Sequence, residues 1–453
     1  MSRLLSQEST TADLLSEFAQ VRKKTIQLFK PLRIEDAVIQ SDPFGSPPNW
    51  HIAHVTWFFQ KVLEKHGARM ESDNSGFNLE YLNSYYQQFG KILPKQERGK
   101  FPRPTVKQTL DYRSFIDRKV TKFLKERTES EKNAMTHELR YDITLGMQHE
   151  MQHQELMIYD FQHFFERFRG PSDNYEPVIL NVPPPKPSET RISSNMVDIP
   201  GGVFDVGYNG NSFCYDNELP EHKVYLQPFK MEIGPVTNGQ YMNFIKDGGY
   251  QNYRYWLADG WELVKEQQWN APLYWIEEDD IWKKKDFRGL GEIDPDEPVI
   301  NVSYYEADAY ARWAGKRLPT EAEWEKAASW NEESERKMLY PWGDHKPTPK
   351  HANLHESYLW GPSKVGSYPA GKSFYGCHQM IGDVWEWTSS EYVLYPGFKS
   401  KFPEYTDKWT INQKVLRGGC FATPAAQIRN SYRNYFKPHE RIPFAGFRCA
   451  KDV

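Results

Sequence analysis

Residues 146–165 read GMQHEMQHQELMIYDFQHFF. Their apolar residues recur at helical spacing, so the stretch belongs to a helix expected from about Glu131 to Phe168. His149 and His153 then stand one turn apart, about 6 Å along one face, and both rings can turn to one ion. An i,i+4 histidine pair also occurs on ordinary surface helices, so the pair needs a third ligand to mean a metal site. The stretch Asn49-Trp50-His51-Ile52-Ala53-His54 opens a second helix. In a helical bundle a histidine from that helix reaches the same interior point. Neutral imidazoles suit Zn, Fe, Cu and Ni alike, so spacing alone does not choose the metal. The same residues spell HExxH, the zinc-hydrolase pattern with Glu150 as general base. That reading lacks a supported downstream ligand; Asp160 and Glu166 carry no accompanying motif. His66, His137 and His163 read as solvated or packing residues.

Around this helix lie three more amphipathic stretches. They carry Leu14, Phe18, Val21, Thr25 and Phe29; Val55, Phe58, Phe59, Val62 and Leu63; and Tyr112, Phe115, Ile116, Val120, Phe123 and Leu124. Four such helices predict an antiparallel bundle over residues 1–170. Residues 171–195 hold Pro183, Pro184, Pro185 and Pro187 and read as an extended linker. From residue 196 to 453 glycine, tryptophan and short strand-like runs take over, as in VDIPGGVFDVG (197–207) and HKVYLQPFKME (222–232). Two short helices are expected there, after capping boxes at Thr237 with Gln240 and at Thr320 with Glu323. The fold class is multi-domain, α followed by α+β.

The chain has 453 residues, too many for one small domain, and a formal charge of −4, which argues against a partner held by phosphate contacts. No apolar run is long enough for a membrane helix, and the start has no signal-peptide pattern. A cytoplasmic protein with neither nucleic acid nor membrane as partner is the expectation. The four cysteines are far apart and form no CxxC, which argues against a disulfide framework or structural zinc. The acidic run Glu277, Glu278, Asp279 and Asp280 reads as a solvated face.

NWHIAHVTWF (49–58) with MQHEMQHQEL (147–156) resembles the DinB-like four-helix bundle. IPGGVFDVG (199–207), PVTNGQYMNF (235–244), residues 301–328, YPWGD (340–344), MIGDVWEWTSS (380–390), VLRGGCFAT (415–423) and AGFRCA (445–450) resemble the formylglycine-generating-enzyme-like domain, a C-type-lectin-related fold. The pairing resembles the sulfoxide synthases of ergothioneine biosynthesis. That resemblance implies a non-haem Fe(II) enzyme that uses O₂ to join a thiol to the imidazole C2 of hercynine. It implies His54, His149 and His153 as metal ligands, with His51 left as a helix-start or supporting residue. It implies hercynine contacts from Gln152, Asn434, Tyr435 and Phe436, and a tyrosine proton donor among Tyr85, Tyr86 and Tyr392, with Tyr395 completing the second tyrosine pair.

Departures from the relatives sharpen the reading. The two catalytic cysteines of formylglycine-generating enzymes align with Thr423 and Ser431, so that activity is not expected. Relatives using γ-glutamylcysteine place an aspartate where this chain has Phe436. Asn83–Tyr86 followed by Pro94–Gly99 resembles the branch using free cysteine, with Lys95 or Arg98 as carboxylate partner. Cysteine is therefore the expected thiol; γ-glutamylcysteine or a selenium donor, a zinc hydrolase, and a non-catalytic binding module are the alternatives.

Overall fold

The computed structural model describes residues 10–70, 76–100, 103–128, 135–168 and 195–453. The expected linker lies outside the described residues except for Asn195. The chain divides into two compact units, Met1–Val178 with Gly210–Tyr215, and Ile179–Asn209 with Asp216–Val453.

The first unit is built on four long helices, α1 (Thr11–Phe29), α2 (Pro48–Lys65), α3 (Val106–Thr128) and α4 (His137–Phe168). α1 begins at a reciprocal capping box between Thr10 and Asp13 and buries Leu14, Phe18, Leu28 and Phe29. α2 has Pro48 in its first turn, where the missing N–H leaves no hydrogen bond unmade. Every residue of α2 from Pro48 to Gln60 is buried, because this helix packs against both α3 and α4. Ile52, Val55, Phe58, Phe59, Val62 and Leu63 are among its fully buried apolar side chains, each worth about 1.5–3 kcal/mol. Gly146 lets α4 approach α2 one turn before His149: a Cβ there would lie 2.6 Å from the Phe59 ring. None of the helices among the described residues is long and apolar enough to cross a membrane.

The second unit starts with β1 (Met196–Ile199), β2 (Gly202–Val206), β3 (His222–Leu226) and β4 (Phe229–Glu232). Each strand-like run of the sequence is thus two strands, broken at Pro200-Gly201 and at Gln227-Pro228, where proline offers no N–H to a ladder. The halves go to different sheets: β2 pairs with β3, while β1 pairs with β4. A meander of β5 (Trp275–Glu278), β6 (Ile281–Asp286) and β7 (Gly289–Glu292) follows, then a short pair, β8 (Trp330–Asn331) with β9 (Arg336–Lys337). The acidic run ends β5 and makes the β5–β6 turn, exposed as expected, with Asp279 and Asp280 both at positive φ. The last sheet has the order β12 (Arg433–Phe436), β11 (Lys414–Arg417), β10 (Trp385–Glu391), β13 (Ala445–Gly446), and β14 (Ala450–Asp452) returns to β4.

Four helices, rather than the two expected, interrupt these strands: α5 (Asn238–Lys246), α6 (Ala258–Gln267), α7 (Tyr304–Trp313) and α8 (Glu321–Ser329). Both anticipated capping boxes form, and a third at Ser303 with Glu306 starts α7. Trp324 of α8 lies in a core with Phe204, Phe229, Met231 and Cys377, its indole donating to Glu386 at 2.7 Å. Beside it, buried Arg417 pairs with Glu321 and Glu325, and Arg433 pairs with Glu321. Gly418 and Gly419 have positive φ, and a Cβ on Gly418 would meet the Met380 carbonyl at 2.5 Å.

Candidate metal centre

Three buried histidines converge between α2 and α4. One ring nitrogen each of His54, His149 and His153 lie within 4.8 Å of one another. The α4 pair faces itself directly, with Nε2 of His149 and Nε2 of His153 3.1 Å apart. His54 Nδ1 donates to the Leu82 carbonyl at 2.6 Å, so its Nε2 is the bare nitrogen. That buried Nε2 has no hydrogen-bond partner among the described residues. Trp50 stacks on the His54 ring at 4.4 Å, and Phe58 covers His149 at 4.5 Å. Burial, with the neighbouring imidazoles, holds His54 and His153 well below the usual histidine range. Burial likewise takes His149 down to about 3. Neutral nitrogens, one of them orphaned, form a donor set that fits a transition metal.

His51 is on the same face of α2 as His54 but is engaged at both nitrogens. Its Nδ1 lies 2.6 Å from His153 Nδ1, and its Nε2 lies 2.8 Å from Asp160 Oδ2. Asp160 also accepts the Ser46 amide at 3.2 Å. Sequence reasoning meets Asp160 only as an unsupported ligand; its spacing of seven residues, two helical turns, from His153 is the available signal. His163, read as a solvated or packing residue, is buried and bonds Ser41.

Glu150 turns to α1 and α3. Its carboxylate accepts from Arg22, Arg113 and Thr25. Burial opposes its charge, but Arg113 and Arg22 outweigh that and hold it at about 2. A general base must receive a proton, and this carboxylate is committed to two guanidinium groups, which argues against the HExxH hydrolase.

The loop after α2 frames the site. The Asn83 side chain accepts from the Tyr86 amide and donates to the Tyr86 carbonyl, only one residue past the carbonyl that anchors His54. The Tyr85 and Tyr86 hydroxyls are 3.1 Å apart, and Tyr86 packs on Trp57 and Phe58. Burial pushes Tyr85 up to about 12. Arg98 is 8% exposed, lies 3.7 Å above the Trp50 ring, and donates to Ser46 Oγ at 2.6 Å. Its Nε has no partner among the described residues, and burial lowers its pKa to about 9. Lys95, by contrast, is exposed over Phe44. Gln152 is half-buried, one position before His153.

In the second unit Asn434, Tyr435 and Phe436 are half-buried on β12. Asn434 Oδ1 accepts its neighbour's amide, and Tyr435 stacks on Tyr392 at 3.9 Å. The Tyr392 hydroxyl accepts from Asn217 and donates to Thr406, while Tyr395 bonds Glu321 beneath Arg433. Thr423 and Ser431 are buried, and Ser431 donates to Glu218 at 2.6 Å. Cys420 contacts Thr423, and none of the four cysteines is in a disulfide.

Comparison with known proteins agrees with this architecture. The family model of the DinB superfamily matches residues 17–157, and that of the sulfatase-modifying factor enzyme 1-like domain matches residues 182–453. The hercynine oxygenase of Mycolicibacterium thermoresistibile is 34% identical, over 98% of this chain and 95% of the relative. That of Mycolicibacterium smegmatis is 32% identical, over 97% and 99%. The formylglycine-generating enzyme of Thermomonospora curvata is 32% identical over 59% of this chain and 97% of its own length. With both units matched and near-complete coverage of these relatives, the chain belongs to the hercynine oxygenase family.

Proposed function

We propose that the chain is a non-haem Fe(II)- and O₂-dependent sulfoxide synthase that joins cysteine to C2 of hercynine, giving hercynylcysteine sulfoxide. The observation that carries this reading is the buried cluster of His54, His149 and His153 in a chain of this family. In the reaction C2–H and S–H are lost while C–S and S=O form. O₂ takes up four electrons, one oxygen atom passing to the sulfoxide and one to water. Fe(II) held by the three histidines would supply the oxidative chemistry and make a coordinated thiol more acidic.

The chain's own residues place the reactants. Arg98 offers a buried guanidinium whose Nε has no partner among the described residues, the geometry that receives a carboxylate. Its burial favours it over Lys95 as the partner of the cysteine carboxylate. Tyr85 stays protonated at neutral pH and serves as proton donor with Tyr86 behind it. The engaged hydroxyls of Tyr392 and Tyr395 fit packing roles instead. Gln152, one position before His153, contacts the hercynine imidazole. Phe436 offers no acid for the ammonium of a γ-glutamyl donor.

The test is anaerobic loading with Fe(II), then O₂ uptake with hercynine plus cysteine or γ-glutamylcysteine, with product masses. The cysteine sulfoxide adduct is expected. A γ-glutamyl adduct overturns the donor assignment, and no uptake with either overturns the reaction.

A further inference from the structure

We propose that His51 and Asp160 are positioning residues that set which nitrogen of His153 is bare for the metal. The inference rests on the reading of His153 as a metal ligand. The argument is one of donors and acceptors. A carboxylate can only accept, so at 2.8 Å the His51 Nε2–H donates to Asp160 Oδ2. A neutral imidazole that donates at Nε2 can only accept at Nδ1. The 2.6 Å contact between the two Nδ1 atoms then requires His153 Nδ1–H to donate to His51. The proton of His153 is thereby confined to Nδ1, and its Nε2 lone pair faces Nε2 of His149.

His54 reaches the same state by another route, its Nδ1–H donating to the Leu82 carbonyl. The Asp160–His51 chain performs for His153 what a backbone carbonyl performs for His54. Asp160 is itself held: the Ser46 amide donates to it. Gly45 leaves it space, since a Cβ at Gly45 would fall 2.0 Å from Asp160 Oδ1. Partners of this kind fix ring orientation and raise ligand basicity, and their loss costs about 10- to 100-fold in metal affinity.

The experiment measures anaerobic Fe(II) affinity by competition with a chromophoric chelator, together with the visible absorption spectrum of the Co(II)-loaded protein. The proteins are wild type, His51→Ala, His51→Asn, Asp160→Ala and His153→Ala, each with its thermal unfolding curve. His153→Ala is expected to lose tight binding. His51→Ala and Asp160→Ala are expected to bind about 10- to 100-fold more weakly and to shift the Co(II) bands. His51→Asn, whose side-chain oxygen can accept from His153 Nδ1, is expected to recover part of the affinity. Wild-type affinity and an unchanged Co(II) spectrum in His51→Ala overturn the inference while leaving the metal reading intact. Should that variant unfold, the same result in Asp160→Ala overturns it. No binding by wild type overturns the metal reading and the inference with it.

Discussion

Arg98 and Glu150 are both buried charges with opposite circumstances. The Arg98 side chain donates to Ser46, and its Nε has no partner among the described residues, an edge suited to an incoming anion. Replacing it with methionine is expected to raise KM for cysteine by about 10- to 100-fold, the worth of a charge-assisted hydrogen bond, with Fe(II) content unchanged. Steady-state kinetics beside metal analysis check this; an unchanged KM removes Arg98 from the thiol site. Glu150 instead neutralises Arg22 and Arg113. Glu150→Ala would leave Arg113 without its ion-pair partner and Arg22 with Asp117 alone, and is expected to cost about 3–5 kcal/mol in denaturant unfolding. A stable Glu150→Ala protein that had lost only turnover would restore Glu150 as a catalytic base.

Among the elements, the α2–α4 contact governs the ligand geometry. Gly146→Ala puts a methyl 2.6 Å from Phe59 and is expected to destabilise by about 1–3 kcal/mol while weakening Fe(II) retention. Phe59→Leu in the same protein should return part of both, measured by unfolding and metal content. At this scale much was legible beforehand. The four long helices follow from apolar spacing, and the boxes at Thr237 and Thr320 start helices as read. α7 was missed although Ser303 and Glu306 spell the same box. The two β runs were read whole because alternation continues across Pro200 and Pro228, and only pairing reveals the break.

For the whole molecule, buried ion pairs set the acid limit. Burial opposes the charge of Glu325, but Lys337, Arg417 and the Gly207 amide outweigh it and hold its pKa below the ordinary value. Its stabilisation is complete above the unfolded value near about 4.3 and disappears as pH falls through the lowered folded value. Glu325→Gln should flatten the acid limb of a stability-against-pH curve; an unchanged limb would show that other acids set it. Metal adds a second linkage. Fe(II) at about 100 times its Kd should stabilise the protein by about 2.7 kcal/mol, seen as a raised Tm that a chelator reverses.

The sequence by itself determined the division into helical and α+β parts, the i,i+4 pair on α4 and, through its motifs, the family. Periodicity is local, and local spacing says which residues share a face. It does not say what that face meets. His51 and His54 lie one turn apart and are alike in the sequence. Only the tertiary structure turned His54 Nε2 to the cluster and gave His51 partners 102 and 109 residues away. The fold also buried Arg98 and exposed Lys95, three positions apart, and aimed Glu150 at arginines of α1 and α3. Burial and long-range pairing decide protonation, tautomer and ligand access, and each arises only when distant segments pack together.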